Sequence, residues 1–331
     1  MEHFADRLMA AIAAKKTPAC VGFDPLVDRL PPQLRIPAGA DLAAKADAIL
    51  AFGRGVIAAV ADYVPALKIN VAFFEPYHEP GLRAYTTLIR EARAAGLIVI
   101  GDVKRADIGH TSGQYAAAYL APSPDDPPGA ALADAITINP YFGSEGVAPF
   151  IDAAREHGRG VFVLVQTSNE SAVEVQGLQV SGGLTVCQEV GRLVERWATG
   201  NASPQARRSD VSVGDSSPTG ASAAGLVGAC GYSFVGAVVS PRDLESTVHI
   251  RELMPHCIFL VPGFGAQGRT ADEVAKCFKP DGTGALVTAS RSVILAHENA
   301  RHRAAGSAWQ DAVRAACRDF VASLRAVAPE R

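Results

Sequence analysis

Long apolar runs are absent from this chain. The longest, such as 161–165, reach about a quarter of the roughly 20 residues that a membrane-spanning helix needs, so no span is expected. A basic excess is absent as well. Thirty-one Lys and Arg stand against 34 Asp and Glu, which leaves nothing to hold a polyanionic backbone by counterion release and excludes nucleic acid as a partner. The six cysteines, Cys20, Cys187, Cys230, Cys257, Cys277 and Cys317, stand singly, without the Cys-x-x-Cys pairs of a zinc site or the density of a small secreted scaffold. They read as reduced thiols packed as small hydrophobes. The first residues carry acids where a signal peptide has bases, and no apolar stretch follows, so the expected location is the cytoplasm. His78, His110 and His157 lack ligand spacing, and Met and Trp are too scarce for a cofactor box. No metal site is expected.

What is present is apolar matter for a large core, 48% of 331 residues. Short β-like runs recur at 18–23, 65–70, 97–103, 135–139, 161–166, 235–240, 257–262 and 285–289. They are apolar through most of their length rather than alternating, as parallel strands covered by helices are. Amphipathic helical patterns at 41–61, 81–95, 109–120, 144–157, 184–197, 241–253 and 270–278 separate them. The expected fold is therefore α/β, a (β/α)₈ TIM barrel in one domain over 1–331, with an open doubly wound sheet as the rival. Helices at 3–14 and 307–327 are expected to cover the bottom and close the outer ring. The stretch 201–224, rich in Ser, Ala, Gly and Pro, reads as a flexible insertion, and 121–130 as a second Pro-rich loop.

In such a barrel the site is built from the carboxyl ends of the strands. The third strand ends in Gly101-Asp102-Val103-Lys104-Arg105-Ala106-Asp107-Ile108, where a two-residue spacing turns Asp102 and Lys104 to one face. The second ends in Lys68-Ile69-Asn70 and the first in Phe23-Asp24-Pro25, so charges accumulate at one rim and hold each other ionised. The bland alternative is an ordinary surface ion pair. After the seventh strand comes Gly263-Phe264-Gly265-Ala266-Gln267-Gly268, and after the eighth Ser290-Arg291-Ser292. Both are phosphate signals, because glycine admits backbone N–H groups close to an anion and Arg291 supplies a bidentate fork. The same glycines satisfy a dinucleotide fingerprint but stand far from a first βα unit, and a tight turn is the structural alternative. Gln166-Thr167-Ser168-Asn169 offers groups that read the edge of a planar heterocycle, or simply cap a turn.

Taken in order over about 18–295, these motifs and the Asn139-Pro140-Tyr141-Phe142-Gly143 run resemble the orotidine 5′-phosphate decarboxylase family, and its longer bacterial subgroup in particular. The resemblance implies a cofactor-free barrel that converts orotidine 5′-phosphate to uridine 5′-phosphate and carbon dioxide, acting as a homodimer with shared sites. Lys104 corresponds to the residue that protonates C6, and Asp102 to the one near the departing carboxylate. Lys68 and Asp24 correspond to ribose-binding members of the charge network. Asp107, Ile108 and Thr111 correspond to a segment donated to the neighbouring subunit. Ser168 corresponds to a contact with the pyrimidine edge, and Gln267 and Arg291 to the phosphate ligands. A magnesium-dependent hexulose-phosphate synthase shares the Asp-x-Lys pair but places an acid where Lys68 stands, and a silent phosphate-binding barrel is a third reading.

Overall fold

The computed structural model describes residues 2–122, 132–200, 225–265, 270–303, 306, 308–325 and 327–328. The stretch 201–224 and all of 121–130 beyond its first two residues lie outside them. The described elements run α1 (Phe4–Lys15), β1 (Ala19–Phe23), α2 (Leu42–Val60), β2 (Ala66–Asn70), α3 (His78–Ala94), β3 (Ile98–Arg105), α4 (Gly109–Leu120), β4 (Ala135–Ile138), α5 (Gly143–Glu156), β5 (Gly160–Gln166), α6 (Val186–Thr199), β6 (Val235–Val239), α7 (Leu244–Leu253), β7 (Phe259–Val261), α8 (Ala271–Ala275), β8 (Ala285–Ala289), α9 (Arg291–Ile294), α10 (Ala300–Arg303) and α11 (Trp309–Leu324). The eight strands pair in chain order and β8 closes in parallel on β1, so the sheet is a barrel and not an open doubly wound layer. β1, β4, β6, β7 and β8 are buried at every position, which is why no strand needed polar alternation to declare itself.

Boundaries shift where local chemistry decides them. The sixth helix begins two residues later than its periodicity suggests because Thr185 and Gln188 form a capping box, with Gln188 Oε1 accepting from Thr185 N at 2.8 Å. β7 shrinks to three residues because Pro262 has no N–H for the ladder and Gly263 takes a left-handed φ of 90°. β3, by contrast, runs two residues beyond expectation, through a break in its register with β4. Gly22 is required by a close approach: a Cβ there would lie 1.9 Å from Ser290 Oγ at the end of β8.

α1 and α11 take the places expected of them. α11 packs on α2 and β1 and completes the ring, with Trp309 against Phe52 at 5.1 Å between ring centroids. α1 lies at the end of the barrel where the strands begin: Phe4 is 2% exposed, packs on Phe162, and occupies the space a Cβ at Gly160 would need. Among the described residues no helix is long and apolar enough to cross a membrane. Because Phe4 plugs that end far from the strands' carboxyl rim, Phe4→Ala is expected to cost about 3–5 kcal/mol of unfolding free energy. Urea denaturation checks the cost, and an unchanged midpoint would contradict the plug.

Candidate active site

Every strand contributes to one cavity of about 220 Å³ at the carboxyl rim. Asp24 follows β1, Lys68 and Asn70 lie on β2, Asp102 and Lys104 on β3, Thr137 on β4, Ser168 follows β5, and Ser290 and Arg291 follow β8. Val238 and Leu260 supply apolar wall from β6 and β7. The parallel register sets the heights: Asn70 pairs with Asp102 and Lys68 with Ile100, so Lys68 sits one residue pair below the Asp102 level, pointing up into the mouth.

At the cavity's charged side Asp102 accepts from three groups. Lys68 Nζ donates to Oδ2 at 2.6 Å, while Lys104 Nζ at 2.5 Å and Thr137 Oγ1 at 2.8 Å donate to Oδ1. Asp24 stands 3.8 Å from Lys68 Nζ across the other side. Burial by itself pushes a carboxylate's pKa up, and Asp102 is only 6% exposed. Two ammonium groups, each worth roughly 4 kcal/mol at about 4 Å in an effective dielectric of about 20, outweigh a desolvation cost of several kcal/mol. Asp102 is held well below the ordinary carboxylate range. Burial likewise opposes the charge on Lys68, and the Asp102 and Asp24 carboxylates override it, raising the ammonium above its usual value. Lys104 differs in exposure, since its stem is half exposed while its ammonium turns inward to Asp102.

A regular pleat carries Asp102 and Lys104 to one face by spacing alone. Here they meet through a bulge, in which Lys104 has a left-handed φ of 47°. Arg105, the next residue, is tethered outside the barrel by Glu75 and Tyr119.

Arg291 lines the same cavity from the far side and makes no ion pair among the described residues. α9 is a single turn, so any fixed positive field there comes from a few N–H groups and the guanidinium rather than a long helix dipole. Gly263 lines the cavity in the left-handed conformation that the tight-turn reading requires. Gln267 lies outside the described residues. In the polar run at the end of β5, Gln166 turns away to brace Ser240 and Thr247, while Thr167, held by Gln176 through its N–H and its hydroxyl, and Ser168 line the cavity. Asp107 and Thr111 are not among the lining residues: Asp107 accepts from Ile108 N at 2.8 Å, and Thr111 is exposed on α4.

Thr137 and Thr288 escaped the sequence reading, although each is the lone hydroxyl in a buried strand. Threonine's β propensity hides that signal. Cys20 lies under the site beside Lys68, and burial pushes its thiol up to about 12, as it does for Cys277 and Cys317. The cysteines with that burial are inert packing.

Replacing the carboxylate by an amide leaves Lys104 without an ion pair and Lys68 with Asp24 alone at 3.8 Å, so Asp102→Asn is expected to destabilise the fold near neutral pH by the lower end of about 3–5 kcal/mol. The depressed Asp102 pKa means its stabilisation is present above the ordinary carboxylate range and fades as pH falls through and below it. The raised Lys68 pKa means its share is lost only in strongly alkaline solution. The gap between wild type and variant in urea denaturation is therefore expected to stay level from about pH 5 to 9 and to narrow in acid; a variant as stable as wild type at pH 7 would contradict it.

Comparison with known proteins agrees with this geometry. The profile described as "Orotidine 5'-phosphate decarboxylase / HUMPS family" matches residues 35–305. An orotidine 5′-phosphate decarboxylase of Rhodopirellula baltica is 39% identical over 96% of this chain and 97% of its own, and one of Clostridium acetobutylicum is 32% identical over 88% and 89%. The solved structure of Leishmania donovani OMP decarboxylase superposes with a TM-score of 0.68 at 26% identity, covering 98% of each chain. With a closed eight-stranded barrel, a lysine-aspartate-lysine array at its mouth and matches that run nearly end to end, the chain belongs to the orotidine 5′-phosphate decarboxylase / HUMPS family.

Proposed function

We propose that this chain is a carboxy-lyase that converts orotidine 5′-phosphate to uridine 5′-phosphate and carbon dioxide in pyrimidine synthesis. The observation that carries the reading is that Lys68, Asp102 and Lys104 share one cavity with Arg291, which makes no ion pair among the described residues. Breaking the bond from C6 to the carboxylate leaves the electron pair in the ring plane, where the ring cannot delocalise it. Stabilisation must then come from fixed charge. Lys104 is the group we assign beside C6, where its ammonium stabilises the growing negative charge and donates the proton that completes the product. Asp102 holds that ammonium and faces the departing carboxylate. Lys68 and Asp24 take the ribose hydroxyls, Ser168 the pyrimidine edge, and Arg291 with Gln267 the phosphate. Binding energy gathered at the phosphate supports chemistry at the distant carbon.

The donor set favours this over the magnesium-dependent branch of the family. Both oxygens of Asp102 are occupied by ammonium groups, and a divalent cation placed there meets two like charges.

We read the chain as one barrel domain interrupted near 201–224, acting in the cytoplasm as a homodimer. The exposed side chains of Ile108, Tyr141 and Phe142 support the dimer. Asp107 and Phe142 both crowd Gly146, which joins these residues into one patch. Asp107 on that patch and Thr111, exposed on α4, are the residues assigned to the neighbouring site.

Purified protein is expected to turn over orotidine 5′-phosphate after exhaustive chelation, with Lys104→Ala lowering kcat by about 10²–10⁴-fold or more while the protein stays folded. Activity restored only by magnesium would favour the synthase, and none at all a silent barrel. Mixing Lys104→Ala with Asp107→Ala protein is expected to recover activity that neither has alone. No recovery in a verified mixed dimer would contradict the shared site.

A further inference from the structure

The register of the sheet breaks where the charges converge. Gly101 stands opposite Ile136 and Arg105 opposite Ile138, so three residues of β3 face Thr137 alone. Lys104, the last of the three, carries the left-handed φ of 47°. A lysine keeps such a backbone only where its surroundings over-determine it. The N–H of Lys104 donates to Thr137 Oγ1 at 3.1 Å, a side-chain acceptor at the point where the regular pairing is lost. The same hydroxyl donates its own proton to Asp102 Oδ1 at 2.8 Å. One oxygen thus binds the main chain of one charged residue and the carboxylate of the other.

The hydroxyl is well placed to be decisive. Thr137 is 1% exposed, so water does not compete for it. Its flanking strand residues, Ile136 and Ile138, are fully buried and apolar and offer no replacement donor or acceptor side chain. A β-branched residue in a strand is restricted at χ1, which fixes the direction of the oxygen. The carboxylate oxygen it binds is the one that also receives the Lys104 ammonium. Backbone and side chain of Lys104 are therefore referred to one another through Thr137 and Asp102, in a closed loop of three hydrogen bonds.

We infer that Thr137 is a positioning residue for the decarboxylation: its hydroxyl locks the left-handed backbone of Lys104 to the carboxylate of Asp102 and so sets where the proton-donating ammonium stands. This rests on the assignment of Lys104 as that donor. A purely structural hydroxyl would stabilise the strand without affecting turnover. A positioning hydroxyl affects kcat selectively, because substrate affinity is gathered at the ribose and phosphate ends.

The test compares Thr137→Ser, which keeps the hydroxyl, with Thr137→Val and Thr137→Ala, which remove it, by steady-state kinetics with orotidine 5′-phosphate and by thermal unfolding. Displacement of the ammonium by a fraction of an ångström to one ångström predicts that Val and Ala lower kcat by about 10–100-fold with KM within about threefold of wild type, while Ser stays within about threefold in both. Wild-type kcat in the Val variant overturns the inference, as does a loss confined to KM, or a Ser variant as slow as Val. Should the Val protein fail to fold, Ala against Ser decides by the same criteria. An inactive wild type points instead to failure of the decarboxylase reading itself.

Discussion

A single carboxylate, that of Asp102, joins two ammonium groups at the mouth of the barrel, and the local structure is organised around keeping it charged. Desolvation works against it, and the surrounding donors win because there are three of them and each is anchored on a different strand. The arrangement is mutual. Lys68 is almost wholly buried and remains an ammonium because Asp102 and Asp24 face it, so neither sign of charge is tolerable there without the other.

The fold serves this constraint by closing. If the same strand order were left open between β1 and β8, those two strands would be distant edges. In the barrel they are neighbours, which brings Asp24 and Arg291 into the cavity that holds Asp102. Packing at the opposite end, where Phe4 fills the space above Gly160, leaves the carboxyl rim free to carry strain and charge. The bulge in β3 lies between Asp102 and Lys104 themselves, where it sets the direction of the lysine as well as its position.

Much of this was legible in the chain. The eight strands were visible because buried parallel strands are nearly continuous apolar runs, and Asp24, Lys68, Asp102, Lys104, Ser168 and Arg291 were visible because polar groups ending such runs have one rim to occupy. The left-handed backbone of Lys104 was not visible, since nothing in Asp-Val-Lys-Arg distinguishes a bulged strand from a regular one. Thr137 was hidden for a related reason: a threonine between isoleucines satisfies strand propensity whether or not its hydroxyl is used. The starts of α6 and the end of β7 depended on a capping box and on proline and glycine chemistry, which act over one or two residues and leave the periodicity intact. Asp107 belongs to a different category: it stands in the same motif as Asp102 and Lys104 yet does not line their cavity, so sequence proximity alone did not place it.

The most direct measurement of the central claim is a crystal structure of the protein with uridine 5′-phosphate bound. The account predicts the phosphate at Arg291, the ribose against Asp24 and Lys68, and C6 of the pyrimidine facing the Lys104 ammonium in van der Waals contact. A nucleotide bound with C6 turned away from Lys104, or with its phosphate remote from Arg291, would contradict it.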